Sequence, residues 1–154
     1  MTWTVGAWIQ ARLSERWEGR RLVRLGLIFV LAGLGGMIVV LRPDLPVWLG
    51  VAAWSTAGLG MGLGFAPISL MMLREAPAGR EGWASASLNL SDVLGTALGA
   101  GLGGAAIAAA TSAGHALSTG ATVAFAIAAA GAVTGLALTP RLPLRHPVDA
   151  GLPD

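Results

Sequence analysis

Four long apolar runs dominate this sequence and restrict what it can fold into. They cover residues 22–41, 46–73, 82–110 and 119–139, and each is long enough to cross a hydrocarbon core of about 30 Å as a helix. Of the 154 residues, 55% are hydrophobic and 12% are charged, whereas a soluble domain has about 25% charged residues. Because a helix satisfies its own backbone hydrogen bonds in lipid, the sequence predicts an all-α, polytopic membrane helix bundle with about four transmembrane helices.

A shorter apolar stretch, residues 1–11, precedes the first run. As a helix it covers about half of a hydrocarbon core, and positive charge follows it, whereas in a secretory signal the charge comes first. One interpretation is an N-terminal half-helix, the remnant of a preceding transmembrane helix. The alternative is a helix that lies in the membrane interface. Residues 12–21 are then a cytoplasmic loop, and the polar, proline-punctuated residues 140–154 are expected to be a disordered cytoplasmic tail.

The arginines predict the orientation of the bundle. The chain has ten basic side chains and all of them are arginine. Eight lie before the first run, between the second and third, or after the fourth, and Arg24 lies at the start of the first run. Only Arg42 lies on the opposite side. Because short arginine-rich loops stay in the cytoplasm during insertion, we expect a multi-pass protein of the cell membrane with its C-terminus in the cytoplasm.

Residue types that support enzymatic chemistry are sparse. There is no cysteine, and neither a metal-ligand motif nor a nucleophile with a neighbouring base is visible. The arginines separate apolar runs and do not form a patch for nucleic acid. We therefore expect neither an enzyme nor a nucleic-acid binder, with no cofactor and no metal, and the lipid bilayer as the first partner.

The third run carries a polar stripe. Ser85, Asn89, Asp92 and Thr96 fall within about 60° of one helix circumference. Asp92 is the only acidic residue in any run, and a carboxylate at mid-membrane costs about 2.5–3.5 kcal/mol to insert. It is interpreted either as a proton or substrate site that faces a water-filled cavity or as a structural hydrogen-bonding group. The sequence leaves both open.

The same run also carries a ridge of small residues at every fourth position. Such ridges allow close contact between transmembrane helices. The ridge consists of Ser87, Ser91, Gly95, Gly99 and Gly103. In the second run Pro67 follows a glycine-rich segment and would leave the carbonyl of Leu63 without its helical donor, which predicts a hinge there.

Two segments resemble the major facilitator superfamily of transporters. Glu15-Arg16-Trp17 and Gly19-Arg20-Arg21 are similar to the second half of its cytoplasmic loop pattern G-x-x-x-D-R-x-G-R-R. Here Ala11 stands at the first glycine, Glu15 replaces the aspartate, and Glu18 is inserted. The segment from Asn89 to Gly99, NLSDVLGTALG, looks like the penultimate helix of drug-efflux members.

The resemblance implies a fold and a function. It aligns the chain with the last four helices of such a transporter, plus the end of the helix before them, and the missing N-terminal helices would precede Met1. It implies proton-coupled efflux of a small organic solute through an antiporter whose substrate binds between two halves. In that account Asp92, Asn89 and Thr96 serve proton or substrate coupling. The cytoplasmic gate is formed by Glu15, Arg16, Arg20 and Arg21.

A different class of function fits the same runs. The chain could be a self-sufficient four-helix membrane scaffold, or an accessory subunit without transport activity of its own. If it is instead a portion of a transporter, we expect the isolated chain to insert but not to transport, because part of one half encloses no complete pathway.

Overall fold

The protein is all helical in a computed structural model, which describes residues 2–14, 16–42 and 44–142. The predicted fold class is confirmed: four of its helices are long and apolar enough to cross a membrane. Of the predicted disordered tail, residues 140–154, the part from residue 143 onward lies outside the described residues, whereas Pro140 and Arg141 belong to a short 3₁₀ turn. The helices are α1 Thr2–Leu13, α2 Gly19–Val40, α3 Trp48–Glu75, α4 Glu81–Ser112 and α5 Leu117–Leu138, followed by a short 3₁₀ turn at Thr139–Arg141.

Short connections join the helices and reverse the chain. Between α3 and α4, Gly79 adopts a φ of +81° and its N–H donates to the Glu81 carboxylate at 3.1 Å. Between α4 and α5, Gly114 adopts a φ of +75°. Residues with a side chain rarely adopt these left-handed angles, so the two glycines permit the tight reversals that make sequential helices antiparallel.

The close pair at the centre of the bundle is α2 and α3, and glycines bring their backbones together. A Cβ at Gly26 would lie 2.6 Å from the Gly60 carbonyl oxygen and 2.9 Å from the Gly64 nitrogen. A Cβ at Gly33 would lie 2.6 Å from the Ala57 Cβ. Membrane helices associate through this kind of small-residue contact, since lipid provides no hydrophobic drive between them.

The short helix α1 packs lengthwise against α3. A Cβ at Gly6 would lie 3.1 Å from the Gly62 Cα, and the Trp3 ring meets Phe65 edge-on at 5.9 Å between centroids. Thr2 lies beside Gly58, which is close to the middle of α3. The α1 helix therefore runs parallel to the second half of α3 and covers about half of its length.

The hairpin of α4 and α5 completes the arrangement by packing on α2. A Cβ at Gly120 would lie 2.6 Å from the Ile107 Cα, so α5 lies close to α4 there. A Cβ at Gly135 would lie 3.6 Å from the Leu27 side chain of α2. Helices α2, α3, α4 and α5 thus surround a common space, with α1 attached to α3. Helix α4 meets α3 sparsely, and its residues 89–102 are exposed.

The antiparallel order places the arginines at one end of the bundle. Contacts between α2 and α5, and between Gly19 and Met71, join the ends that carry them. Among the described residues, only Arg42 belongs to the opposite end. We call these the arginine-bearing end and the opposite end.

Candidate functional site

Asp92 lies about a third of the way along α4 from the arginine-bearing end. It comes eleven positions after Glu81 at the start of α4, a rise of about 16 Å, which is about half the thickness of a hydrocarbon core. Within the part of the chain that the structure describes, the one ion pair joins Arg21 and Glu18, so Asp92 has no cationic partner there. An aspartate at this depth, without a counter-charge, calls for water, a proton or a ligand.

The Asp92 side chain lines a cleft between α2, α3 and α4 with a volume of about 320 Å³. The walls are almost entirely apolar, with Val30 from α2 and Met61 from α3 among them. Ser91 and Asp92 supply the polar side chains. Among the described residues that line this cleft, Asp92 alone is titratable. We call this space the Asp92 cleft.

A second, smaller cavity lies closer to the arginine-bearing end, between α3 and α4. Its volume is about 140 Å³, and its polar lining consists of Ser69, Ser85 and Asn89. Phe65 and Leu88 line both this cavity and the Asp92 cleft. We call it the polar cavity.

The structure divides the predicted polar stripe between these two spaces. Asp92 lines the cleft, while Ser85 and Asn89 line the polar cavity. Thr96 lines neither, and all four side chains of the stripe are exposed on α4. The coupling role proposed for Asp92, Asn89 and Thr96 remains a prediction, and in this chain Asp92 and Asn89 lie in adjoining spaces.

The predicted ridge of small residues meets few partners inside the chain. A Cβ at Gly103 would lie 3.5 Å from the Ala124 Cβ, whereas a Cβ at Gly95 or Gly99 would meet nothing within 4 Å among the described residues. Ser91 lines the Asp92 cleft and donates a hydrogen bond to the Ser87 carbonyl at 2.9 Å. Contact with another helix at Gly95 and Gly99 therefore stays a prediction, for a partner outside this chain.

In the predicted gate loop, Arg20 makes a specific long-range contact. Its Nε donates to the Thr139 carbonyl at 2.9 Å, and its Nη2 donates to the Pro140 carbonyl. Thr139 is buried at 2% exposure. The last carbonyls of a helix carry partial negative charge, so the guanidinium caps the end of α5 and ties it to the start of α2.

The other predicted gate residues make weaker contacts or none that the structure reports. Arg21 lies 4.0 Å from Glu18 across one turn, and the two side chains are 71% and 43% exposed. Such exposed pairs contribute little to stability. Arg16 is exposed, and Glu15 lies outside the described residues. The gating role of this loop remains a prediction.

Pro67 lies inside α3, which continues through it to Glu75. The proline is buried, and it lies next to the start of α2, where a Cβ at Gly19 would come within 3.6 Å of the Pro67 Cβ. A hinge would show as a difference between two conformations of α3, and the structure describes one. The hinge at Pro67 therefore stays a prediction.

Sequence reasoning did not find Phe65, Leu88 and Thr139. Phe65 and Leu88 are ordinary apolar residues of apolar runs, and only the crossing of α3 and α4 places them between the two cavities. Thr139 contributes a backbone carbonyl, which no side-chain pattern can identify.

Comparison with known proteins finds no matching family model, no matching curated protein and no matching solved structure. The resemblance to the major facilitator superfamily therefore rests on the two sequence segments described above.

Proposed function

We propose that this chain is the C-terminal portion of a major-facilitator-type secondary transporter that exports small organic solutes or drugs in exchange for protons. The observation that carries the proposal is the position of Asp92. The only acidic residue in any of the four long apolar runs lines an apolar cleft of about 320 Å³. That volume is within the range of about 300–1,000 Å³ that is typical of small-molecule sites.

The chemistry of the cleft suits an exchange reaction. An ionised carboxylate accepts hydrogen bonds and attracts a cationic or donor group of a solute, whereas a protonated carboxyl carries no charge. Proton and solute then compete for Asp92, so that arrival of one favours release of the other. The apolar walls, such as Val30 and Met61, would hold the hydrocarbon part of the solute.

The proposed orientation follows from the arginines. We infer that the arginine-bearing end lies on the cytoplasmic side of the cell membrane, because arginine-rich segments are retained there. The C-terminus is then cytoplasmic. The remaining helices of the transporter would supply the other wall of the pathway, and the exposed surface of α4 is available for them.

A growth assay tests this function in cells. A strain that lacks its own efflux pumps would express the complete reading frame containing this chain, and growth would be measured against a panel of amphipathic drugs. We expect resistance to at least one drug, and its loss with Asp92→Asn. The matched control is Asp44→Asn, in the connection between α2 and α3 at the opposite end, which should preserve resistance. Equal resistance of the wild type and Asp92→Asn would refute the role of Asp92.

A second candidate is a membrane scaffold or accessory subunit. The observation that favours it is the open space at Gly95 and Gly99, since small residues on an exposed face suit a partner helix. If the chain is a scaffold, it confers no drug resistance. Substitutions at Gly95 or Gly99 would then abolish binding of the partner helix and would not affect solute export. The panel assay separates the two functions.

A further inference from the structure

The polar cavity and the Asp92 cleft follow one another along α4. Ser85 lies one turn after Glu81, and Asp92 lies seven residues beyond Ser85, a rise of about 10 Å. Among the described residues the polar cavity lies between the arginine-bearing end and the cleft. A route from that end to Asp92 therefore passes through the polar cavity first.

Water is the occupant that best suits the polar cavity. Its volume of about 140 Å³ is enough for several waters. The Ser69 hydroxyl donates to the Phe65 carbonyl at 3.1 Å, while Ser85 and Asn89 receive no side-chain partner from the described residues. Lipid chains would leave these polar groups without hydrogen bonds, which is unfavourable in free energy, whereas water would form those hydrogen bonds.

Phe65 and Leu88 stand where the two spaces meet. Both line both cavities, and neither carries a polar side-chain atom. The Phe65 ring is positioned by its edge-on contact with Trp3 at an interplanar angle of 62°. Apolar constrictions of this kind control water in membrane pores by dewetting.

We propose that the polar cavity is a water-filled access route from the arginine-bearing end to Asp92, and that Phe65 and Leu88 form the constriction that controls it. The chemistry is acid–base exchange alone: a hydrated proton from that end binds a carboxylate oxygen of Asp92, or the carboxyl returns the proton to water. The role of this route rests on the proposed function, since it would supply protons to Asp92 during transport. Water access itself can be measured without any transport.

Thiol labelling tests the route directly, since the chain has no cysteine and any cysteine elsewhere in the complete reading frame can be replaced by serine. Single substitutions Ser85→Cys and Ser91→Cys report on the polar cavity and on the Asp92 cleft. Leu90→Cys is the control at the same depth, because Leu90 lines neither space. Ala78→Cys, in the turn before α4, identifies the arginine-bearing side. The probe is a charged, membrane-impermeant methanethiosulfonate, which reacts with thiols in water, added to each side of membrane vesicles that contain the complete reading frame.

We expect Ser85→Cys to react from the side that labels Ala78→Cys, and Ser91→Cys to react from the same side on the order of tenfold more slowly. Leu90→Cys should not react with the charged probe. Adding Phe65→Ala or Leu88→Ala should bring the Ser91→Cys rate close to the Ser85→Cys rate. Met61→Ala is the matched control, since Met61 lines the cleft alone, and it should leave the ratio of the two rates unchanged.

Three results would overturn the proposal: no reaction of Ser85→Cys from the arginine-bearing side, equal rates at Ser85→Cys and Ser91→Cys before any truncation, or no acceleration by either Phe65→Ala or Leu88→Ala. Total thiol after denaturation shows that each variant is present in the membrane. If the labelling follows our expectation while Asp92→Asn preserves drug resistance, then the route exists and the proposed coupling role of Asp92 fails. The two failures are therefore distinguishable.

Discussion

At the scale of single residues, glycines decide where the backbones of α2 and α3 touch. Gly60 packs directly on α2: a Cβ there would lie 2.7 Å from the Val30 nitrogen and 2.9 Å from the Phe29 Cβ. A Cβ at Gly64, one turn later, would meet nothing within 4 Å among the described residues. The two positions therefore form a matched pair in one helix.

We predict that Gly60→Ala destabilises the bundle by about 1–3 kcal/mol, because the added methyl group forces α2 and α3 apart. Gly64→Ala should be neutral or stabilising by up to about 1 kcal/mol, since alanine favours a helix over glycine. The measurement is the free energy of unfolding in mixed micelles. Equal effects of the two substitutions would show that the α2–α3 contact is placed wrongly.

Arg20 is the second residue whose surroundings give a quantitative expectation. It donates two hydrogen bonds to carbonyls at the end of α5, whereas Arg24, one turn later on α2, is exposed. Arg20→Ala should destabilise the bundle by about 1–2 kcal/mol, since hydrogen bonds of charged groups contribute about 1.5–3 kcal/mol and this one is partly screened by solvent. Arg24→Ala should change the free energy of unfolding by less than about 0.5 kcal/mol.

Arg20→Lys separates charge from geometry. A lysine keeps the positive charge but loses the planar fork that reaches two carbonyls at once. Its thermal midpoint should lie between those of the wild type and Arg20→Ala. A midpoint equal to that of Arg20→Ala would mean that geometry alone stabilises the contact, and one equal to the wild type would contradict a role for the fork.

At the scale of helices, the sequence predicted the spans well and their neighbours poorly. Apolar length alone located the four long helices, since few charged residues interrupt the runs. Which helices contact each other depends on how well the shapes of their surfaces fit together. Gly95 and Gly99 carry the clearest small-residue pattern, yet the close approach of α4 to α5 at Gly120 is made by residues 106–110. The pattern shows that a close contact is possible and does not identify the partner.

The exposed ridge of α4 leads to a prediction at this scale. Gly95→Leu adds a bulky side chain where the described chain leaves open space, so the isolated chain should keep its free energy of unfolding to within about 0.5 kcal/mol. In the complete protein the same change should reduce drug resistance, because it separates α4 from its partner helix. Leu98→Ala, at another exposed position on α4, is the control and should preserve resistance. Full resistance with Gly95→Leu would contradict a partner at this ridge.

The site itself was partly predictable. Asp92 could be selected from the sequence because a carboxylate in an apolar run is unfavourable to insert into a bilayer. The helical spacing of the polar stripe placed Asn89 and Ser85 on the same face. The roles of Phe65 and Leu88 could not be predicted, since their place between the cavities depends on how α3 and α4 cross. Likewise, the partner of Arg20 lies 119 residues away and is a main-chain oxygen.

At the scale of the whole molecule, the antiparallel helices bring the arginines of separate loops to one end. In the proposed orientation that end lies in the cytoplasm. A reporter that fluoresces only in the cytoplasm should be active when fused after Leu142, and an alkaline phosphatase should be active when inserted at Asp44, in the connection at the opposite end. The reverse pattern would contradict the orientation and with it the direction of export.

We propose that Asp92 couples proton movement to movement of a solute, and a measurement of proton flux in proteoliposomes reports on this coupling itself. The complete protein would be reconstituted with a pH-sensitive dye inside, under an imposed pH gradient, and drugs of the panel would be added in turn. We expect at least one drug to produce a proton flux above that of empty liposomes, and we expect Asp92→Asn to abolish this flux while Asp44→Asn preserves it. A drug-dependent proton flux of equal size in the wild type and in Asp92→Asn would contradict a coupling role for Asp92.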